Sequence, residues 1–289
     1  MKKPTAILLG SKPGAVAALS VMLARGWDIT AVVTSPKFTY SWIPGPTLEE
    51  FAVSHELRVL TSQQQLSAEA PADFVISYMF RYLVKPETLR LARRAALNFH
   101  AGPLPEFGGW AFYNVAILED SPEYGCTCHY MDEGFDTGPL FKVRRFAIDA
   151  SQETAYSLER KAQQEMIKLF LDFCRVAESG EDLPRQEQDA TRMRYMNRDE
   201  FEALKQIPPG ADDATIQRRA RGFWYPPYEC AHMIVDGSRV EVVPRVAKEQ
   251  VAARLHSEDL QCLLEVAREY GDHGVDGPTD IELKKGLVG

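Results

Sequence analysis

The chain has 289 residues, 45% hydrophobic and 26% charged, which suits a folded chain with one catalytic domain and a smaller appendage. A formal net charge of −8 argues against a large nucleic-acid footprint, which draws its affinity from clustered Lys and Arg. No apolar run approaches the roughly 20 residues that span a bilayer, and five scattered cysteines suit a reducing compartment, so cytoplasm is the expected location.

After Met1-Lys2-Lys3-Pro4 no small-residue cleavage site follows, so residues 5–10 read as a buried first strand rather than a secretory signal. Residues 15–25 read as an amphipathic helix and 28–34 as a second strand, completing a βαβ unit. Residues 37–46, with Phe38, Tyr40 and Trp42, read as an ordered loop at the carboxyl end of that strand, where ligands gather or aromatics plug the sheet. A helix from Phe51 and strands at 57–60 and 73–78 continue the alternation, which implies a parallel sheet.

Next come a strand at 95–100, a helix at 110–119, a strand at 124–131 ending in Asp132-Glu133-Gly134, and a long helix at 153–178. Polar residues 180–191 mark a boundary, dividing a catalytic domain, 1–190, from a C-terminal subdomain, 191–289. The latter reads as helices near 201–205 and 215–222, strands at 231–235 and 239–243 about the hairpin signal Asp236-Gly237, a helix at 247–270 and a weakly structured tail at 271–289. The expected fold class is α/β: a Rossmann-like sheet, parallel or mixed, with a smaller C-terminal α+β appendage.

Residues 97–110 read Leu-Asn-Phe-His-Ala-Gly-Pro-Leu-Pro-Glu-Phe-Gly-Gly-Trp, so Asn98 and His100 share one strand face just before an irregular loop. Asp136 falls in a glycine-containing turn after the next strand, where a carboxylate can orient and charge-stabilise an imidazole. Cys126-Thr127-Cys128-His129 points its sulfurs one way and its imidazole the other, which favours core packing over a metal site. Arg218, Arg219 and Arg221 beside Trp224 and Tyr225 form either a grip on a nucleotide diphosphate or a solvated helix face with buried aromatics.

Taken together, Asn-x-His, Pro-Leu-Pro-x-x-Gly-Gly, Gly-x-Thr-x-His-x-Met and Phe-Asp-Thr-Gly-Pro-Leu resemble the folate-dependent formyltransferases, which act on glycinamide ribonucleotide, methionyl-tRNA or nucleotide sugars. The resemblance covers about the first two-thirds of the chain. It implies 10-formyltetrahydrofolate as co-substrate, no metal, and a catalytic triad of Asn98, His100 and Asp136. Donors fixed near the formyl oxygen would lower the barrier, and the proton leaving the amine would pass to His100 or Asp136. The resemblance also sets the pterin against Phe80, Arg81, Tyr82, Leu83 and Val84 and against the turn containing Asp132 and Gly134.

The acceptor is expected on Ser11 and Lys12, at a helix N-terminus suited to phosphate. Gly-Pro-Leu-Pro followed by the acidic Glu106, where tRNA-acting relatives usually carry Ser-Leu-Leu-Pro and a basic residue, looks like the nucleotide-sugar branch, as do Tyr113 and Asn114. With Arg219, Arg221, Trp224 and Tyr225 on the nucleotide, the expected reaction formylates a nucleotide-linked amino-deoxy sugar destined for surface polysaccharide. A homodimer without nucleic-acid or membrane partners is expected. The alternatives are a methionyl-tRNA formyltransferase, a hydrolase releasing formate from the folate, and a non-catalytic nucleotide-binding module.

Overall fold

The computed structural model describes residues 3–35, 46–109, 112–194, 196, 198–249, 251–252, 263 and 266. Nearly all of the loop expected at 37–46, most of the helix expected at 247–270 and the tail at 271–289 lie outside the described residues.

The first half alternates as its pattern requires: β1 (Thr5–Gly10), α1 (Pro13–Ala24), β2 (Asp28–Val33), α2 (Leu48–Ser54), β3 (Val59–Leu60), β4 (Ala72–Tyr78), α3 (Pro86–Leu89) and β5 (Ala92–His100). Pro13 occupies the first turn of α1, where a missing N–H costs nothing and the fixed φ favours the helix. Thr47 and Glu50 cap α2 reciprocally. Then follow α4 (Phe112–Leu118), β6 (Glu123–Tyr130), β7 (Leu140–Ala147) and α5 (Ala155–Ser179), which Thr154 caps and Gly180 terminates at φ 81°.

The seven strands form one sheet in the order β3-β2-β1-β4-β5-β6-β7. β1 to β5 run parallel, whereas β6 and β7 are antiparallel additions to the edge, so the sheet is mixed. The chain leaves β1 toward β2 on one side and returns as β4 on the other. Such a reversal opens a crevice at the carboxyl ends of the strands, the usual ligand position in open α/β sheets.

One sheet face packs under α1 and α5 through Phe74, Tyr78, Phe99, Phe170 and Phe173, with Phe74 and Phe173 edge to face at 5.2 Å. Each such ring, fully buried, contributes about 1.5–3 kcal/mol of transfer free energy. The other face buries Ile7, Leu9, Val33 and Val75 over β1, β2 and β4 but turns polar at β5 and β6.

The remaining chain forms α6 (Arg198–Lys205), α7 (Asp213–Gly222), β8 (His232–Val235) and β9 (Ser238–Glu241). Asp236 and Gly237 both have positive φ, 49° and 77°, as the hairpin signal between β8 and β9 requires. A small core of Phe201, Ile207, Phe223 and Ala231 joins these elements, with Leu118 of α4 packed against it. No helix among the described residues is long and apolar enough to cross a membrane.

Candidate active site

Three adjacent strands set polar side chains side by side on one face. Ser77 of β4 is the parallel partner of Asn98 of β5, and Asn98 is the antiparallel partner of His129 of β6. His100 is paired with Thr127. Because side chains alternate along a strand, Cys126 and Cys128 enter the helix-covered core while Thr127 and His129 take the polar face. Burial pushes the Cys126 thiol up to about 12, far from the thiolate that metal binding needs.

Asp136 reaches these residues through the turn between β6 and β7. Asp132 builds that turn by accepting from Gly134 N at 3.0 Å and Thr137 Oγ1 at 2.6 Å. Gly138 lets the chain recross, since a Cβ there would sit 2.0 Å from the Tyr130 carbonyl oxygen. Asp136 itself has φ 57°, a left-handed conformation that costs about 1–3 kcal/mol and needs outside support. Gln188 supplies it, donating from Nε2 to the Asp136 and Gly138 carbonyl oxygens at 2.7 Å each. The polar segment expected only as a boundary therefore clamps the turn, and Gln186 pairs with Leu140 at its side.

So held, the Asp136 carboxylate lies at the centre of the cluster. Oδ2 accepts from Gly109 N at 2.9 Å and lies 3.6 Å from His100 Nδ1; Oδ1 lies 3.3 Å from His129 Nε2 and accepts from Asn98 Nδ2 at 3.4 Å. Burial pushes its pKa up. Positive charge on His100, and a hydrogen bond and charge from His129, both acting when the rings are protonated, together with the Gly109 N–H outweigh burial and hold it well below the usual carboxylate range.

Hydrogen positions follow from the partners. Carbonyls only accept, so His100 Nε2 carries a hydrogen for Phe107 O at 2.7 Å, and His129 Nδ1 carries one for Tyr130 O at 2.8 Å. His100 Nδ1 thus faces Asp136. In a neutral His129 ring, Nε2 accepts from Asn98 Nδ2 at 3.0 Å. A carboxylate likewise only accepts, which makes the Asn98 atom nearest Asp136 the amide nitrogen and leaves Oδ1 to accept from Ser77 Oγ at 2.7 Å.

The loop after His100 is fixed from two sides. Thr127 Oγ1, fully buried, donates to Gly102 O at 2.8 Å and accepts from Leu104 N at 3.0 Å. Glu106, whose acidity set this loop apart from that of tRNA-acting relatives, pairs with Arg145 at 2.9 Å and with Arg192, so its charge is matched within the protein.

The loop expected to hold a pterin has its backbone fixed by Gln63, which donates to Leu83 O and accepts from Lys85 N, both at 2.9 Å. Val84 is buried and Phe80 half-buried, whereas Arg81, Tyr82 and Leu83 are exposed. The expected acceptor residues divide. Lys12 Nζ pairs with the buried Glu159 and contacts Tyr225 Oη at 3.2 Å, which joins two of them; Ser11 is half-buried nearby in sequence. Trp224 is half-buried, its carbonyl accepting from Tyr156 N. Tyr113 is buried, its hydroxyl without a partner among the described residues.

The expected arginine grip takes a different form. Arg219 donates to Leu204 O at 2.6 Å and Gln206 O at 2.9 Å, Arg221 to Ala150 O at 3.1 Å, and Asn114 to Gly222 O at 2.6 Å. These contacts brace α7 against α4, α6 and the loop before α5, because carbonyl oxygens at segment ends need donors as much as a phosphate does.

His129, Ser77 and Gln188 complete the cluster without having been singled out. His129 stood within the Gly-x-Thr-x-His-x-Met pattern, and its polar face was readable from alternation; its pairing with Asn98 needed the strand register. Nothing local marks Ser77 or Gln188.

A family model described as formyl transferase matches residues 29–173. The methionyl-tRNA formyltransferase of Myxococcus xanthus is 33% identical over 172 residues, 56% of this chain and 54% of that one, so the chain matches about half the length of this relative. The GDP-perosamine N-formyltransferase of Brucella melitensis is 28% identical over 183 residues, 63% of this chain and 68% of that one. In fold, the chain is similar to the Helicobacter canadensis N-formyltransferase, solved in complex with folinic acid and dTDP-3-aminofucose, with a TM-score of 0.68, 20% identity and coverage of 83% and 86%. The family model spans half of the chain and contains residues 97–140, which carry the motifs and the Asn98–His100–Asp136 cluster, and the protein belongs to the formyl transferase family.

Proposed function

We propose that the protein transfers a formyl group from 10-formyltetrahydrofolate to the amine of a nucleotide-linked amino-deoxy sugar. The observation that carries the chemistry is the convergence of Asn98, His100 and Asp136, with both His100 and Asn98 within 3.6 Å of one buried carboxylate.

The chain suits such a donor. The loop after β4 and the turn before β7 expose Tyr82, Leu83 and Phe135, large apolar groups that would cover a flat heterocycle, beside backbone held rigid by Gln63 and Asp132. Bound there, the folate supplies the formyl carbon that the amine attacks. Asn98 Nδ2, anchored through His129 and Ser77, turns its longer-bonded hydrogen from Asp136 to the oxygen that gains negative charge. His100 Nδ1 takes the proton shed by the amine and returns it to the folate nitrogen as the bond between that nitrogen and the formyl carbon breaks. Once His100 is charged, Asp136 is held ionised beside it, so its part is to hold the resulting imidazolium.

For the acceptor, the sugar reading rests on fold similarity over 83% of the chain to an enzyme solved with a dTDP-amino sugar, and on the match to the GDP-perosamine enzyme. Lys12, Trp224 and Tyr225 are its proposed contacts; Arg219 and Arg221 support them from behind. Methionyl-tRNA formylation is the second reading, because relatives with that activity match at 33% identity. We further infer a cytoplasmic homodimer serving surface polysaccharide synthesis.

Incubation with 10-formyltetrahydrofolate and a panel of dTDP-, UDP- and GDP-linked amino sugars is expected to yield one formylated sugar. A formylated initiator tRNA with no formylated sugar would replace this reading with the second. Formate release without an acceptor would point to the hydrolase.

A further inference from the structure

Ser77 is a buried hydroxyl in a strand that is otherwise apolar after Asp73 until Tyr78. It is 2% exposed, and its partner on β1 is the fully buried Leu9. Such a hydroxyl costs about 1–3 kcal/mol to bury unless it is bonded. Its hydrogen-bond partner among the described residues is Asn98 Oδ1, at 2.7 Å. Serine at this position is therefore explained by Asn98 and not by packing.

We infer that Ser77 is a positioning residue for formyl transfer, one that keeps the amide nitrogen of Asn98 turned toward the reacting oxygen. The inference rests on the proposed role of Asn98. In the resting site the amide is oriented at both ends, by Ser77 at its oxygen and by His129 and Asp136 at its nitrogen. The 3.4 Å contact to Asp136 is the longest of the three and is the one a substrate oxygen displaces. Once it is broken, the electrostatic penalty against a flipped amide, oxygen to carboxylate, is weakened. The bond from Ser77 then holds the orientation together with His129, since a flipped amide would turn the Ser77 hydroxyl into an acceptor and leave its buried hydrogen without a partner among the described residues. A flip presents Oδ1 to an oxygen gaining negative charge, which removes the stabilisation and adds repulsion.

The test uses the full chain with whichever acceptor in the panel is turned over. Ser77→Ala is expected to lower kcat about 10-fold, within the 10–100-fold range for groups that orient a functional residue, while KM for the folate changes less than about twofold. Ser77→Cys, similar in size and a weaker donor, should fall between. Asn98→Ala separates the two layers of the claim: a wild-type rate would sink the role of Asn98 and this inference with it. If Asn98→Ala is slow and Ser77→Ala retains the wild-type kcat, the role of Ser77 alone is overturned. The double variant is expected to be no slower than Asn98→Ala, because Ser77 acts through Asn98; a further 10-fold loss would show an independent structural effect and overturn the inference. Should Ser77→Ala fail to fold, the same cycle run with Ser77→Cys decides the matter.

Discussion

Asp136 Oδ2 lies 3.6 Å from His100 Nδ1, and the same oxygen accepts the Gly109 N–H, so one carboxylate ties the His100 imidazole to the end of its own loop. The depressed pKa of Asp136 therefore reports on the folding of the site as much as on its chemistry.

A group whose folded pKa is depressed contributes stability above its unfolded value, about 3.9 for Asp, and loses it as pH falls toward the folded value. Asp136→Asn is thus expected to be less stable than wild type by a constant margin between pH 7 and about 5. Urea unfolding should show that margin narrowing toward pH 3. A margin that does not change with pH would mean that the carboxylate charge does not stabilise the fold.

Gly102 makes room for the bond that orients His100. A Cβ there would lie 2.7 Å from His100 Nε2 and 2.6 Å from Phe107 O, the two atoms of that bond. Gly102→Ala should cost about 1–3 kcal/mol in stability and lower kcat at least about 10-fold, read by thermal unfolding and steady-state kinetics.

Thr127→Val keeps the shape of a fully buried side chain and removes its hydroxyl. Leu104 N–H and Gly102 C=O then lose their partner, at about 1–3 kcal/mol. Calorimetry should show a destabilised protein, with catalysis impaired because the loop beneath His100 loosens.

Arg219→Met tests brace against grip. Loss of the bonds to Leu204 O and Gln206 O should lower stability by about 1–3 kcal/mol and leave KM for the acceptor within about twofold. A 10-fold rise in KM at unchanged stability would restore the nucleotide-contact role.

By itself, the sequence determined the alternation of strands and helices, because hydrophobic periodicity and turn residues act over a few positions; β1, α1, β4 and the β8–β9 hairpin needed nothing more. It also singled out Asn98, His100 and Asp136 as candidates, since their spacing relative to glycine and proline is local and resembles a family pattern. Tertiary structure decided the rest. The antiparallel turn at β6 brought His129 opposite Asn98, and parallel register brought Ser77 to its other side. The segment beyond α5 folded back to clamp Asp136 through Gln188, and Glu106 and the C-terminal arginines found partners inside the protein. Register, and the partner a charge or hydroxyl meets across distant segments, depend on how the whole chain packs, and no local pattern encodes them.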